Sequence, residues 1–340
     1  MRFQLKLLIL ALAVLSFATA KEKEKPAKSS PIFVPKGGIK TPGIQVPFAN
    51  LKSEADLTMD ASPSGILVDG TTVLVPIREK GTVARIGTKD NKALEAWKGF
   101  DQPCGGMISA FGNLWVPNCG NQTISRVENR SGKIAATVPV SVGKGNVVLA
   151  ATADSVWVLA DSKTTLARID PKENSVVSEL RLPEACNSIQ YESESLWVTC
   201  PTENRVLRID PKTNLVDKRI ETAKQPVSVA FGEAHIWVLC SAEGKVSKID
   251  PKTNKVVTTI EIGVANGGGN LSFGDGHVWV TAAGYPITKI NAQTDKVVQQ
   301  FAGEGGGLIR FGATSLWLVN PAKASVSRID PKRVAATLAE

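Results

Sequence analysis

Leu196-Trp197-Val198-Thr199-Cys200 is followed, after a short polar loop, by Leu207-Arg208-Ile209-Asp210-Pro211-Lys212-Thr213-Asn214. Both halves recur. The apolar–Trp–apolar triplet returns at 114–116, 156–158, 236–238, 278–280 and 316–318, and Val73-Leu74-Val75 fills the same slot first, without the Trp. Successive central positions lie 41, 42, 40, 40, 42 and 38 residues apart, so the chain carries seven units of about forty residues. That period belongs to propeller blades and similar arrays.

The second marker has close copies at 167–174 and 247–254 and looser ones beginning at Ala84, Ser125, Thr288 and Ser327. Asp-Pro opens a turn, since the carboxylate accepts backbone bonds and the ring presets φ; the Asn that follows tolerates a left-handed exit. Each unit reads as a strand, a turn with Phe-Gly, the Trp strand, a loop, the Arg/Lys-Ile strand, the Asp-Pro turn and a Val-Val strand. The predicted fold is all-β, a seven-bladed β-propeller with four antiparallel strands per blade over residues 60–340. A closed ring must complete its last blade, because an open edge invites pairing. Two stretches qualify for that strand, Val334-Ala335-Ala336-Thr337-Leu338 and Ile44-Gln45-Val46-Pro47-Phe48.

The composition agrees with a packed, soluble chain. Of 340 residues 43% are apolar and 21% charged, which excludes disorder as the main state and leaves one stretch apolar enough to attract a membrane. That stretch opens residues 1–20: Arg2 and Lys6, an apolar run from Leu7 to Phe17, then Ala18-Thr19-Ala20, the plan of a cleaved signal peptide. No Cys follows it, so a lipid anchor is not expected. Removal of Arg2 and Lys6 takes the formal charge from +8 to +6. Residues 21–59, rich in Lys, Pro, Gly and Ser, read as a flexible basic tether.

The repeats resemble those of seven-bladed YVTN-type propellers and of the streptogramin (virginiamycin) B lyase family. Trp-Val-Thr-Cys at 197–200, Trp-Val-Thr-Ala at 279–282 and the Arg-Ile-Asp-Pro-Lys copies carry the likeness across 60–340. These motifs are structural and say little about chemistry. The resemblance implies ligand sites at the rim where first strands begin and second strands end. It also implies, for a lyase, a His and acidic magnesium ligands on late blades. The matching stretches here, Asn266-Gly-Gly-Gly-Asn270 and Glu304-Gly-Gly-Gly307, hold no His. His235 and His277 stand two before a Trp, where Ser155, Ser195 and Ser315 stand in other units, at the opposite rim. Without a base to take a proton, the elimination does not carry over.

The candidate ligand-binding residues of that rim are Arg78, Asn118, Lys144, Asp161, Glu184, Lys224, Asn266, Glu304 and Asn320, a mixed set suited to a zwitterionic or hydrogen-bonding ligand. A lactone hydrolase would need Glu184, Glu304, Asp161, Asn118 and Asn320 to converge on a cation. The glycine runs near 105, 267 and 305 suit inner strands that crowd the axis. In an exported chain the five Cys predict two bridges within blades, from Cys104, Cys119, Cys186 and Cys200, with Cys240 left over. The expectation is a monomeric, bacterial, secreted or periplasmic binding platform for a small molecule, envelope polymer or protein partner at the channel mouth. No catalytic residue and no cofactor are expected; magnesium or calcium enters only under the alternative of a lyase or lactone hydrolase with an altered catalytic set. No integral membrane segment remains after signal cleavage. Nucleic acid is not an expected partner, since Lys and Arg are spread through every unit and the aromatics are core Trp.

Overall fold

The Asp-Pro turns fold as their chemistry dictates. Asp170, Asp210 and Asp250 accept the backbone N–H of Lys172, Lys212 and Lys252 at 2.7, 2.8 and 2.8 Å. Asn174, Asn214 and Asn254 exit with φ of 54, 58 and 57°. Each turn joins the third and fourth strands of a blade, as Arg205–Asp210 to Leu215–Glu221.

In this computed structural model, which describes residues 37–143, 145 and 147–334, the strands form seven twisted sheets. Blade one is Leu67–Asp69, Thr72–Ile77, Thr82–Gly87 and Ala93–Lys98; blades two to six follow in the same inner-to-outer order. The expected signal sequence, the tether up to residue 36, Lys144 and residues 335–340 lie outside the described residues.

Blade seven has three strands in sequence, Leu308–Gly312, Ser315–Asn320 and Ser325–Ile329; Ala55–Thr58 supplies the fourth, pairing antiparallel with Ser325–Ile329. The stretch at 44–48 does not fill this role, and of the stretch at 334–338 only Val334 is among the described residues. Gln45–Pro47 lies parallel to Lys296–Ala302 as a fifth strand on blade six. After the turn Pro331–Arg333, Val334 is buried at the junction of blades six and seven and accepts the Lys289 ammonium at 3.2 Å. Ala55–Thr58 alternates half-buried and exposed, and Leu57 packs into the cluster around Trp317. That amphipathic period matches an outer strand with one wet face. The tether therefore carries two strands in its last part, residues 45–58.

Six Trp are at most 1% exposed. Each is wedged against the next blade: Trp157 packs with Leu196 and Val198, and Trp317 with Val73 and Val75 across the closure. The cation of the second marker lies over the Trp and continues to the next blade. The Arg208 guanidinium stands 5.4 Å from the Trp197 ring centre and donates to the Pro251 carbonyl at 3.0 Å. Arg168 reaches Pro211 and Lys248 reaches Ala292 in the same way, and Arg126 makes the same inter-blade bond to Pro171. These cations are inter-blade staples, and Arg168, Arg208 and Lys248 also pair with nearby acids. Blade one departs, because Leu74 fills its Trp slot. Arg85 there covers Trp97 at 4.6 Å and bonds Glu95 of its own blade.

Phe-Gly is a turn in blade two alone of the four blades that have it, where Phe111 and Gly112 have φ of 54 and 70°. In blades five to seven it lies at the end of the inner strand, and the turn is the next pair: Glu233-Ala234, Asp275-Gly276 and Ala313-Thr314, all with positive φ. Two left-handed residues make the tight hairpin that strand twist favours. The glycine is there for space. A Cβ on Gly232 would meet the Phe273 ring at 2.0 Å, and one on Gly274 would meet Phe311 at 2.0 Å.

Candidate functional site

The innermost strands surround a central cavity of about 500 Å³. Register fixes what faces it. The residue opposite each Trp-column position is Leu67, Ile108, Ala150, Gln190, Ala230, Ser272 or Arg310, and all but Ala150 line the cavity. Toward the mouth the wall continues with Gly106, Val148, Ser188, Ser228, Asn270 and Leu308. Blades one to three thus contribute a mainly apolar wall. Blades four to seven contribute hydroxyls, amides and Arg310.

Arg310 is held by its neighbours. Nη1 donates to Asn270 Oδ1 at 3.1 Å, to the Leu271 carbonyl at 3.3 Å and to the Ile309 carbonyl at 3.2 Å. Asn270 in turn donates from Nδ2 to Ser228 Oγ at 3.2 Å, so one polar chain crosses blades five, six and seven. Arg310 is half-buried, with part of its surface open to the lumen, and desolvation by the surrounding protein lowers its pKa. A second cation, Lys163, donates to Asn187 Oδ1 at 3.2 Å, and burial lowers its pKa as well. Among the described residues no Asp or Glu side chain lines the cavity.

Two disulfides brace the mouth side, Cys104–Cys119 and Cys186–Cys200, with Cα separations of 5.9 and 4.1 Å. The second adjoins Asn187, whose N–H donates to the Thr199 carbonyl at 2.8 Å, and so fixes the acceptor that holds Lys163. Cys240 is free and buried, and desolvation pushes its thiol up. At Gly105 the blades nearly touch: φ is 69° and a Cβ would sit 2.1 Å from the Val147 carbonyl oxygen.

The eight described candidates of the rim lie on loops, short helical turns and strand ends of the mouth side, and none lines the cavity wall. Asn118 is buried and donates to Thr123 and Ser125 of its own hairpin. Asp161 pairs with Arg181 at 2.7 Å, Glu184 with Arg205 at 3.1 Å. Arg78 reaches Cys119 Sγ, and Asn320 caps the turn at Lys323. Lys224, Asn266 and Glu304 are exposed. Of the acids and amides proposed as cation ligands, Asn118, Asp161, Glu184 and Asn320 serve separate local contacts and Glu304 is exposed. Among the described residues no three His, Cys, Asp or Glu side chains group to hold a metal. The acidic magnesium ligands that the resemblance implies have no counterpart on the wall, so the donor set does not fit that ion. His235 and His277 begin the second strands of blades five and six, away from the cavity lining.

Arg310, Asn270 and Lys163 were outside the set chosen from sequence as ligand-binding. One signal was present. Aligned on Phe-Gly, the repeats read Val-Ala-Phe-Gly at 229–232, Leu-Ser-Phe-Gly at 271–274 and Ile-Arg-Phe-Gly at 309–312. A single Arg stands where the other two units carry a small residue.

Several solved structures share this fold. Virginiamycin B lyase from Staphylococcus aureus superposes with a TM-score of 0.69 at 17% identity, over 81% of this chain and 97% of that one. A streptogramin B lyase gives 0.68 at 16%, over 81% and 96%. A catalytically inactive virginiamycin B lyase variant from Staphylococcus aureus, with quinupristin, gives 0.68 at 16%, over 81% and 97%. The likeness is one of fold. No family model matches the sequence, and no curated protein matches it.

Proposed function

We propose that this chain is an exported binding platform whose central channel takes a small molecule and performs no chemistry on it. The observation that carries the reading is the wall itself: hydroxyls, amides and two cations converge on a cavity of about 500 Å³ with no His and no carboxylate among its lining side chains. Pockets of that size with a few placed polar groups bury most of a small ligand. Proton abstraction near neutral pH needs a positioned base, and the only amine of the lining, Lys163, is engaged by Asn187. Export is supported by the reading of residues 1–20 and by two disulfides, which persist in oxidising compartments. Among the described residues no helix is long and apolar enough to cross a membrane.

The test is a thermal-shift screen of the mature protein against organic acids, sugar lactones, cyclic depsipeptides, cell-wall fragments and divalent cations. A ligand at a hundred times its Kd stabilises by about 2.7 kcal/mol. Ala230→Trp, which fills the lumen, should abolish the shift. A shift that survives the plug would move the site out of the channel, and turnover of any ligand would overturn the noncatalytic reading.

A further inference from the structure

We infer that the channel ligand is a small organic carboxylate with an apolar body, anchored through its carboxylate by Arg310; the inference rests on the channel being the binding site. Among the described residues Arg310 is the one Arg that lines the cavity; Arg78, Arg85 and Arg126 likewise lack an acid partner but lie outside it. Arg168, Arg205 and Arg328 each stand within 3.1 Å of a carboxylate. Among the described residues Arg310 has none within ion-pair reach, and its contacts all run through Nη1, to one amide oxygen and two carbonyls. Nε and Nη2, the edge of the guanidinium that carries two parallel N–H groups, have no protein partner among the described residues.

A desolvated cation without a counter-charge is costly to a fold. The cost is understandable where a ligand supplies the charge. The two N–H groups of Nη1, shared among three acceptors, fix the plane of the group, and Asn270, itself tied to Ser228, is the positioning residue. The free edge then presents two donors at the spacing of two carboxylate oxygens. Lys163, the other cation of the lining, likewise has no acid partner, so the positive field of the lumen is uncancelled.

The remainder of the wall specifies the rest of the ligand. One guanidinium edge matches one carboxylate. Leu67, Ile108 and Val148 face the cavity from blades one to three, a surface that a bare phosphate or a sugar phosphate leaves unused and that an alkyl or aryl body covers. Gln190 and Ser272 remain for a single polar substituent.

Calorimetric titration of the full chain with hexanoate, 4-bromobenzoate and indole-3-acetate, each beside its amide at equal ionic strength, tests this. At least one acid should bind about tenfold or more tightly than its amide, a difference of about 1.4 kcal/mol. Arg310→Gln should bring the acid to the level of the amide, and Arg310→Lys, which keeps the charge and loses the fork, should fall between. Circular dichroism and Tm establish folding of both variants; if Arg310→Gln does not fold, Arg310→Lys carries the comparison, and an unchanged acid affinity there contradicts the fork. Amides that bind as well as the acids, or acids indifferent to Arg310→Gln, overturn the anion assignment and leave channel binding intact. If neither acids nor amides bind, the assignment and the channel reading fall together.

Discussion

The guanidinium of Arg328, in the last blade, donates to the carbonyl of Thr88, in the first, at 2.6 Å across 240 residues of sequence. The same side chain pairs with Glu54 at 3.1 Å, bonds Ser315 Oγ at 2.9 Å and Asn91 Oδ1 at 3.0 Å, and covers the Trp317 ring at 5.3 Å. The closing strand, blade seven and blade one thus meet on one cation. Elsewhere the analogous cation joins two blades that are also covalently consecutive. Here it bridges ends that the chain does not connect.

Arg328→Met should therefore lower stability more than the same change at Arg85, whose contacts stay within blade one. Loss of hydrogen bonds to a charged group predicts a cost of about 2–4 kcal/mol at Arg328. Thermal or urea unfolding of the two variants measures the order. Equal losses would remove the special weight given to the closure.

A chain that begins at Asp60 lacks Ala55–Thr58 and exposes the whole edge of Ser325–Ile329. Unpaired edges of that kind template association. Light scattering should show oligomers or aggregates in place of the full chain's behaviour, with a lower Tm. Unchanged size and Tm would mean that the ring closes without its borrowed strand.

Thiol titration under non-reducing conditions should find no reactive Cys in the native protein and one per chain in denaturant, from Cys240. Reduction before denaturation should raise the count to five. Burial and the raised pKa of Cys240 both keep thiolate scarce in the fold. Replacing Cys186 and Cys200 by Ser should cost about 3 kcal/mol for a loop of this length.

The turn carboxylates predict an acid limb. Backbone N–H bonds from Lys172, Lys212 and Lys252 hold Asp170, Asp210 and Asp250 below the ordinary Asp value. A depressed folded pKa gives stability that is present above the unfolded value and lost as pH falls through the folded one. Tm should accordingly drop below about pH 4. Blade six uses Asn291 in the same place, accepting from Gln293 and Thr294 at 2.9 and 2.8 Å. The triple change of those three Asp to Asn should keep the turns and flatten the acid limb; an unaltered slope would assign it to other groups.

The architecture was legible because its determinants recur through the seven units. The column Trp in six of them, the Asp-Pro turn in four and the cation before Ile in six are local signals with one geometric meaning each, and repetition multiplies them. The closing strand was not legible in the same way. Ala55-Asp56-Leu57-Thr58 is four residues outside the repeat, and Leu57 alone marks its apolar face. The channel was harder still. Polar loop ends such as Asp161 and Glu184 advertise themselves in sequence, yet they spend their charge on Arg181 and Arg205. Arg310 sits within an apolar strand, and only its place opposite Trp317 tells that it faces the axis.

The central claim is that the channel holds an organic carboxylate on Arg310. Its most direct measurement is a crystal structure of the full chain grown with 4-bromobenzoate, the ligand located by the anomalous signal of its bromine. The account predicts one bromine inside the ring of inner strands, against Leu67 and Ile108, with the carboxylate on Nε and Nη2 of Arg310. Bromine on the outer face of the blades alone, or a ligand in the lumen whose carboxylate points away from Arg310, would contradict it.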